Sequence, residues 1–546
     1  MTKNALFKQN FFVLGVLCMS LCTPFKTSAQ QDIPDYSAYI RTPKAPETPR
    51  INSARVFGAR PGSPFLYTIA ATGRRPMTFR AVGLPKGLHV DASTGQISGK
   101  TKKAGTYLVT LVAENAQGKD ERELRIEIGE ELALTPPMGW NSWNCWGNSV
   151  SQEKVMSSAR AMVEKGLRDY GWTYINIDDG WQGKRGGKYN GIQPNQKFPD
   201  MAQLAKELHG MGLKLGIYSG PWIGTYAGHI GTGCDNEEGT YEWIEAGLHN
   251  ENYKYTTDED PSGNTVRREH YHHAKYSFAQ QDAKQWAEWG VDYLKYDWNP
   301  NDYFYTKDMY EALRAQKRDI VYSLSNSAPY GDAPLWLKYA DCYRTTGDIR
   351  DNWNSMSSIG FGGQDKWIAY NRPGHWADPD MLVVGMVGWG PNLHYTKLTP
   401  DEQFTHITLW ALLASPMLIG CDMAQLDDFT IGLLCNNEVN DICQDPLGIQ
   451  AYRMYGDKEY TTYVKQLWDG SMAVGMFNLS DKPKTIGIKP SSLGIRGRQT
   501  IRDVWRQQDL TQIEANERFD TEVAPHGVEM IRIYPGNSRE RNTSTR

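Results

Sequence analysis

The stretch Tyr293-Leu294-Lys295-Tyr296-Asp297-Trp298-Asn299 is a short apolar run that ends in an acid beside a cation and two aromatic rings. A buried strand that carries a carboxylate to the point where it leaves a sheet is a rigid support for a catalytic acid. An Asp in this position is equally suited to cap the next turn or helix. Taken alone, the stretch predicts a strand and leaves the role of Asp297 open.

The same pattern recurs at the spacing of a repeating β/α unit. Three further runs show it: 174–177 before Asp178-Asp179, 213–217 before Tyr218, and 343–347 before Asp348. The carboxyl ends of parallel strands lie at the same edge of a sheet, so polar residues at several strand ends indicate one shared mouth. This recurrence favours the catalytic interpretation, in which Asp297 is a nucleophile.

The chain has 546 residues, which is too long for a single hydrophobic core and predicts about three to four domains. Its 18 Trp and 30 Tyr are many for a soluble protein. Aromatic faces stack on the apolar faces of sugars, although most of these rings are expected in the core.

Residues 1–29 have the pattern of a secretory signal: two lysines, the apolar run 11–21, and the small residues Thr27-Ser28-Ala29. The residue before Cys22 is a leucine, whereas a lipoprotein site needs a small residue. We therefore expect an exported protein, periplasmic or secreted. The alternative is a retained lipid or helical anchor, but the apolar run is short for a membrane span.

Without that segment the chain has 56 basic and 63 acidic residues, a net charge of −7. Such a surface does not favour nucleic acid or an anionic membrane as a partner. Six cysteines remain, and an even number in an exported chain permits disulfide bonds, which we expect, although too few to be its framework. No Cys or His spacing is typical of a zinc site, and we expect neither a metal nor an organic cofactor.

Two β regions enclose the central part of the chain. Residues 30–50 have the composition of a linker, and 51–130 contain short alternating runs that predict an antiparallel β-sandwich, at 64–69, 77–81, 107–113 and 121–128. Residues 446–537 predict a second antiparallel β-sandwich, with strands at 461–465, 472–478, 485–488, 500–504 and 528–533. The tail 538–546 has no regular pattern.

Between them, residues 131–445 alternate strands with amphipathic helices, which predicts a (β/α)8 TIM barrel. Helices are expected at 151–170, 201–211, 278–289 and 307–318. Strands are expected near Met138, Tyr174, Leu213, Tyr293, Val321, Cys342, Met381 and Met417. The connection 220–276 is unusually long and follows the third strand, so we interpret it as a lid over the barrel mouth, with an oligomer contact as the alternative.

Several motifs of the barrel resemble glycoside hydrolase family 27, the α-galactosidase or melibiase group. They are Met138-Gly139-Trp140-Asn141-Ser142-Trp143, Ile177-Asp178-Asp179-Gly180-Trp181, Lys214-Leu215-Gly216-Ile217-Tyr218, Tyr293-Leu294-Lys295-Tyr296-Asp297, Arg344-Thr345-Thr346-Gly347-Asp348-Ile349, Trp376-Ala377-Asp378-Pro379-Asp380-Met381-Leu382 and Trp410-Ala411-Leu412-Leu413-Ala414-Ser415-Pro416. The region 51–128 is similar to the immunoglobulin-like modules of exported bacterial glycosidases, and we interpret it as a spacer or a weak glycan binder.

The resemblance implies a retaining exo-α-galactosidase that acts on galactose-containing oligosaccharides or glycans. Asp297 matches the family nucleophile and Asp348 the acid/base, so we expect Asp297 ionised and Asp348 protonated at rest. The implied substrate-binding residues are Trp143, Asp178, Asp179, Tyr218, Lys295, Ser325 and Arg344. Among these, Asp178 and Asp179 are implied to bind the 4- and 6-hydroxyls. Asp378 and Asp380 are expected to support the site without touching the sugar.

Two departures from the family pattern leave the exact activity open. Asn299 stands where many members have a disulfide-bonded cysteine, so bracing after the nucleophile must differ. Ser325 stands where many galactosidases have a glutamate that binds the 2-hydroxyl, and small residues there are typical of α-N-acetylgalactosaminidases. We keep galactose first, because the loop lacks the Trp-Pro of that subgroup. β-L-Arabinopyranosidase, isomalto-dextranase and a non-catalytic glycan-binding protein are further candidate functions, and an oligomer is possible.

Overall fold

The computed structural model describes residues 33–241 and 270–536. The predicted signal segment 1–29 and tail 538–546 therefore lie outside the described residues. So does the central part of the predicted lid, 242–269. The described part forms one compact unit.

The centre of the molecule is a parallel eight-stranded sheet in the order expected of a (β/α)8 barrel. Its strands are β1 Met138–Asn141, β2 Tyr174–Asn176, β3 Lys214–Ser219, β4 Tyr293–Asp297, β5 Val321–Ser325, β6 Cys342–Arg344, β7 Trp376–Asp378 and β8 Met417–Ile419. Neighbouring strands pair in chain order, and β1 pairs with β8. An isolated bridge between Leu382, in the segment after β7, and Ile419 of β8 closes the barrel. The predicted fold class is confirmed.

The seventh strand was predicted in the wrong place. The apolar run around Met381 suggested a strand there, but β7 lies earlier, at Trp376–Asp378. Asp380 has a φ of 91° and takes the chain out of the extended conformation, so only Leu382 pairs again. The apolar side chains that follow are buried in the core rather than in a ladder.

Helices cover the barrel from outside; the first four follow the predicted amphipathic segments, and the later ones were not predicted. They are α1 Gln152–Glu164, α2 Met201–Gly210, α3 Ala279–Trp289, α4 Tyr303–Arg314, α5 Ala333–Tyr339, α6 Trp353–Phe361, α7 Pro400–Leu412, α8 Asp428–Leu434 and α9 Asn437–Cys443. Helix α4 begins four residues before the predicted start because the Asp302 side chain caps it, accepting from the N–H of Tyr305. Helix α1 ends at Glu164; Gly166, with a φ of 83°, follows it, and the 3-10 turn Leu167–Tyr170 completes the predicted segment.

The N-terminal module is a sandwich of a four-stranded and a three-stranded sheet. Its strands are Val56–Ala59, Thr78–Val82, Gly105–Asn115 and Gly118–Ile128 in one sheet, and Phe65–Thr68, Leu88–Val90 and Gln96–Gly99 in the other. It is not wholly antiparallel as predicted, because Val56–Ala59 runs parallel to Gly118–Ile128.

This module is fixed to the floor of the barrel. The Arg60 guanidinium donates to the Asp319 carboxylate at 2.7 Å and to three carbonyls of the turn before β5. Asn52 and Thr68 donate to the carbonyls of Asp169 and Gly212, which precede β2 and β3. All these contacts lie at the amino ends of barrel strands, opposite the mouth.

The C-terminal region is a second β-sandwich, as predicted, and packs against α7. Six strands form its main antiparallel sheet and two form the facing one. They are Tyr452–Gly456, Tyr460–Gln466, Met472–Asn478, Arg498–Asp503, Gln508–Glu514 and Val528–Pro535, with Lys484–Ile488 and Phe519–Val523 opposite. Part of the predicted linker also packs on α7, since the Arg41 guanidinium lies over the Phe404 ring and contacts Asp401.

The disulfide prediction is wrong for the described chain. All six of its cysteines are free and buried: Cys145, Cys234, Cys342, Cys421, Cys435 and Cys443. Each thiol is enclosed by the core and serves as a small apolar side chain. No helix in the described ranges is both long and apolar enough to span a bilayer.

Candidate active site

The carboxyl ends of the barrel strands bring the predicted site residues to one mouth. Asp297 ends β4 and is in register with Ser325, which ends β5. Arg344 ends β6 and is in register with Asp378 at the end of β7. This arrangement agrees with the prediction that acids at the strand ends share one site. Asp348 follows on the loop after β6.

Asp297 is buried and held from both sides. The Tyr218 hydroxyl donates to its Oδ2 at 3.0 Å, and the Asn326 side-chain amide donates to its Oδ1 at 2.7 Å. Burial raises the pKa of the Asp297 carboxyl to about 7, although the Lys295 ammonium acts in the opposite direction. The carboxylate is therefore fixed in orientation and close to its titration point at neutral pH.

Lys295 joins this carboxyl to the acids after β2. Its Nζ donates to Asp178 Oδ2 at 2.8 Å, and the Asn141 amide donates to the same oxygen at 2.8 Å. Burial disfavours the Lys295 charge, but Asp178 and Asp297 outweigh this and raise its pKa. Lys295 is thus a permanent cation between the two acids.

Asp179 fastens the start of the long connection to the site. The Thr225 hydroxyl donates to its Oδ1 at 2.8 Å, and the backbone N–H of Ala227 donates to its Oδ2 at 2.7 Å. Both residues belong to the segment after β3. The described start of the predicted lid is therefore built into the pocket wall, whereas 242–269 lie outside the described residues.

Arg344, at the end of β6, links the acids that follow β6 and β7. Its Nη1 lies 3.0 Å from Asp380 Oδ1 and its Nη2 lies 3.2 Å from Asp348 Oδ1. Nη1 also reaches Ser325 Oγ at 3.5 Å. The Arg344 and Asp380 side chains are 3% exposed, whereas that of Asp348 is 51% exposed and open to the mouth.

The pKa directions of the two carboxyls are opposite to those that we expected. Burial acts to raise the pKa of Asp348, but the cations Arg344 and Lys295 outweigh it and leave that pKa below its ordinary value. Asp297 has the raised pKa. The physical reason is that Asp297 is enclosed on the strand, whereas Asp348 lies beside a guanidinium.

Asp378 and Asp380 are arranged as supports. Asp378 Oδ1 accepts from the Asp380 N–H at 2.8 Å, and Asp380 Oδ2 accepts from the Ile349 N–H at 2.8 Å. Asp380 thereby contacts both Arg344 and the residue after Asp348. Burial raises the pKa of Asp378 to about 6. Asp380 therefore braces Arg344 and the loop of Asp348, and the indirect role of both acids stays a prediction.

Trp143 opens the single helical turn Trp143–Trp146, directly after β1. Its backbone N–H donates to Asn141 Oδ1 at 2.9 Å, and the residue is partly exposed. Many other tryptophans, such as Trp140 and Trp410, are fully buried. A purely core role for Trp143 therefore does not hold.

Sequence reasoning missed Asn326 and Thr225. Asn326 and Ser327 adopt φ values of 69° and 62°, a left-handed turn that aims the Asn326 amide at Asp297. An Asn after a strand is a signal for such a turn, because Asn tolerates positive φ. Nothing local identifies its partner, since Asp297 is 29 residues away.

Hydrogen bonds brace the loop after Asp297, where many members of the family have a disulfide. The Asn301 amide donates to the carbonyls of Trp298 and Ser325 at 2.7 and 3.0 Å, and Trp298 Nε1 donates to Asp302 Oδ2 at 3.0 Å.

No group of three possible metal ligands occurs within 33–241 and 270–536.

A barrel whose mouth holds two carboxylates among buried cations is the arrangement of a glycoside hydrolase. The family model "Alpha galactosidase A" matches residues 135–245 and 247–445, and the model of the alpha galactosidase C-terminal beta sandwich domain matches 457–533. The chain belongs to this α-galactosidase family. An Ig domain model matches residues 48–129.

Two individual relatives and a solved structure support this family assignment. The α-galactosidase of Cyamopsis tetragonoloba is 34% identical over 74% of this chain and 87% of its own length. Alpha-galactosidase A of Cellvibrio japonicus is 35% identical over 64% and 78%. The crystal structure of a candidate α-galactosidase/melibiase from Bacteroides fragilis superposes with a TM-score of 0.78 and 35% identity, covering 91% of this chain and all of that one.

Proposed function

We propose that the protein is an exported, retaining exo-α-galactosidase that removes terminal α-linked galactose from oligosaccharides or glycans. The observation that carries the proposal is the pairing of Asp297 and Asp348 in one mouth, with Lys295 and Arg344 close to both carboxyls. A protein that only binds glycans has no need of such a pair.

The geometry supports a two-step mechanism. Asp297, held by Tyr218 and Asn326, attacks the anomeric carbon to form a glycosyl-enzyme, while Asp348 protonates the leaving oxygen. Asp348 then accepts a proton from the water that hydrolyses the intermediate. The productive form of the pair has Asp297 ionised and Asp348 protonated.

Galactose is favoured over N-acetylgalactosamine by the surroundings of Ser325. In the family this position faces the 2-substituent of the sugar. Arg344 reaches Ser325 Oγ, and the next residue, Asn326, turns its amide to Asp297. Both side chains carry N–H donors, which suit a 2-hydroxyl better than an acetamide.

The function is tested by kcat/KM for four aryl glycosides: the α-galactoside, its 2-acetamido analogue, the β-L-arabinopyranoside and the α-glucoside. We expect the highest value for the α-galactoside. Proton NMR should show α-galactose as the first product, as retention requires. A preference for another glycoside would identify a different sugar, and initial release of β-galactose would contradict retention.

The Asp179→Glu variant is expected to shift preference from galactose to L-arabinose. Thr225 and Ala227 fix the Asp179 carboxylate, so an added methylene pushes it toward the sugar, and L-arabinose lacks the exocyclic hydroxymethyl group. One methylene in a pocket changes discrimination by about 10- to 200-fold. The measurement is the ratio of kcat/KM for the two aryl glycosides. An unchanged ratio would place Asp179 outside the pocket.

The pH profile of kcat/KM should fall above about pH 7, because the pair loses its shared proton as Asp297 titrates in the free enzyme. The Lys295 ammonium lowers the pKa of Asp297, so Lys295→Met should move this basic limb to higher pH. Lys307→Met, on the outer face of α4, is the matched control and should keep the limb in place. A limb that moves to lower pH in Lys295→Met would contradict this assignment.

A further inference from the structure

We propose that a continuous row of aromatic side chains at the barrel mouth, the aromatic track, binds the sugar units on the leaving-group side of the substrate. The track consists of Tyr226, Tyr271, Trp222, His273, Tyr305 and Phe304. It would make neutral oligosaccharides better substrates than short galactosides. The proposal rests on the proposed α-galactosidase function and adds the class of leaving group.

The inner end of the track lies at the reacting groups. Tyr226 is in the segment after β3 and interacts with the Asn326 side chain, which itself donates to Asp297. Tyr226 lies between Thr225 and Ala227, whose hydroxyl and backbone N–H both donate to the Asp179 carboxylate, so it stands at the wall of the pocket. On this proposal, the sugar whose oxygen Asp348 protonates leaves past Tyr226.

Two rings pack around Tyr226: the partly exposed Tyr271 continues the surface, and Trp222, which is only 8% exposed and 5.5 Å from Tyr226, supports both from the core. Tyr271 lies edge-on to Tyr226, with ring centroids 5.1 Å apart, and Trp222 stacks on Tyr271 at 5.4 Å and 20°. The Tyr271 hydroxyl donates to the Tyr226 carbonyl at 3.0 Å. This hydrogen bond fixes the inner rings to one another.

The outer half crosses to helix α4. Trp222 lies 6.4 Å from His273, which stacks on Tyr305 at 3.7 Å with their planes only 3° apart. Tyr305 packs edge-on against Phe304 at 4.9 Å. Phe304 is 66% exposed although it is a large apolar side chain, so the track ends in solvent.

Backbone hydrogen bonds between described residues hold the two sides of the track together. The Ile223 N–H donates to the His272 carbonyl at 3.1 Å, and Gly224 donates to His270 at 3.1 Å. The strands Gly233–Cys234 and Tyr276–Ser277 pair just beyond. The rings are thus presented on a paired, pre-formed scaffold, which limits the entropy lost on binding.

The chemistry of the track fits uncharged pyranose rings. Aromatic faces pack against the apolar C–H faces of sugars, and their hydroxyls remain in water. Burial lowers the pKa of His273 and so disfavours the charged form of this ring, although Asp302 acts in the opposite direction. No Lys or Arg belongs to the row, which gives an acidic glycan no specific partner in it.

The experiment uses a series in which α-galactose is linked to one, two or three further sugars, with the aryl α-galactoside as reference. Wild-type kcat/KM should rise with the number of sugars. Phe304→Ala should lower the ratio of the longest to the shortest substrate by about three- to tenfold, the contribution of one aromatic contact. Tyr271→Ala should lower the ratio already at the second sugar, because its ring lies further in.

Tyr452→Ala, which removes another exposed ring, from the C-terminal sandwich, is the control and should keep the wild-type ratio. If the wild type cleaves the aryl α-galactoside but kcat/KM does not rise with length, or Phe304→Ala leaves the ratio unchanged, the track is overturned and the proposed function stands. If Phe304→Ala changes only the oligomeric mass in light scattering, the rings form a protein contact instead. If no α-galactoside is cleaved, both proposals fail.

Discussion

Asp297→Asn is expected to lower kcat for an aryl α-galactoside by roughly 10⁴-fold or more, the scale found when a covalent enzyme loses its nucleophile. The amide cannot form the glycosyl-enzyme, whereas binding of the sugar by the other pocket residues remains. The exposed Asp332 at the start of α5 offers a matched control. Asp332→Asn makes the same chemical change on a mouth-side loop and should keep wild-type activity.

A second measurement separates loss of the nucleophile from loss of the fold. A mechanism-based fluoro-galactoside should label wild-type Asp297, as shown by peptide mapping, and Asp297→Asn should show an unchanged circular dichroism spectrum. Labelling of another acid would reject the assignment. So would a variant that keeps more than a small fraction of its activity in a preparation free of wild type.

Asp348→Asn should have a large effect that depends on the leaving group. General acid catalysis contributes about 10²- to 10⁴-fold, and an unactivated oligosaccharide needs it in full. An aryl galactoside with an acidic phenol leaves without protonation, so its first step should be nearly normal. The second step is then slow, because no base activates water.

Azide provides the test of this role. A small anionic nucleophile needs no base, so added azide should restore turnover of the activated substrate by Asp348→Asn and yield α-galactosyl azide. The β anomer would contradict the retaining scheme. Equal losses for good and poor leaving groups would show that Asp348 positions Arg344 rather than transferring a proton.

The sequence predicted what depends on local pattern. Short apolar runs that end in polar residues predicted most of the barrel strands, and hence the common mouth of Asp297, Lys295 and Arg344. Strand β7 was predicted too late in the chain, because the apolar run after it packs in the core and is not part of the strand. The extended conformation ends at Asp380, which has a left-handed backbone conformation that no local preference of Asp requires.

The rest depends on long-range placement. Asn326 and Thr225 act on acids that are distant in the chain, so their partners become visible only in the fold. The order of the two carboxyl pKa values was predicted wrongly for a related reason. Sequence shows that Lys295 is near Asp297, but not that Asp297 is enclosed while Asp348 stands open beside Arg344.

The buried thiols give the molecule a property outside catalysis. Burial raises the pKa of Cys145, Cys342, Cys421, Cys435 and Cys443, and the thiolate is the form that reacts. In a preparation without residues 1–29, the rate at which a thiol reagent labels each cysteine therefore reports how fast the structure around it opens. Early labels mark segments that open locally, late ones mark global unfolding, and a reductant in the buffer leaves the melting temperature unchanged.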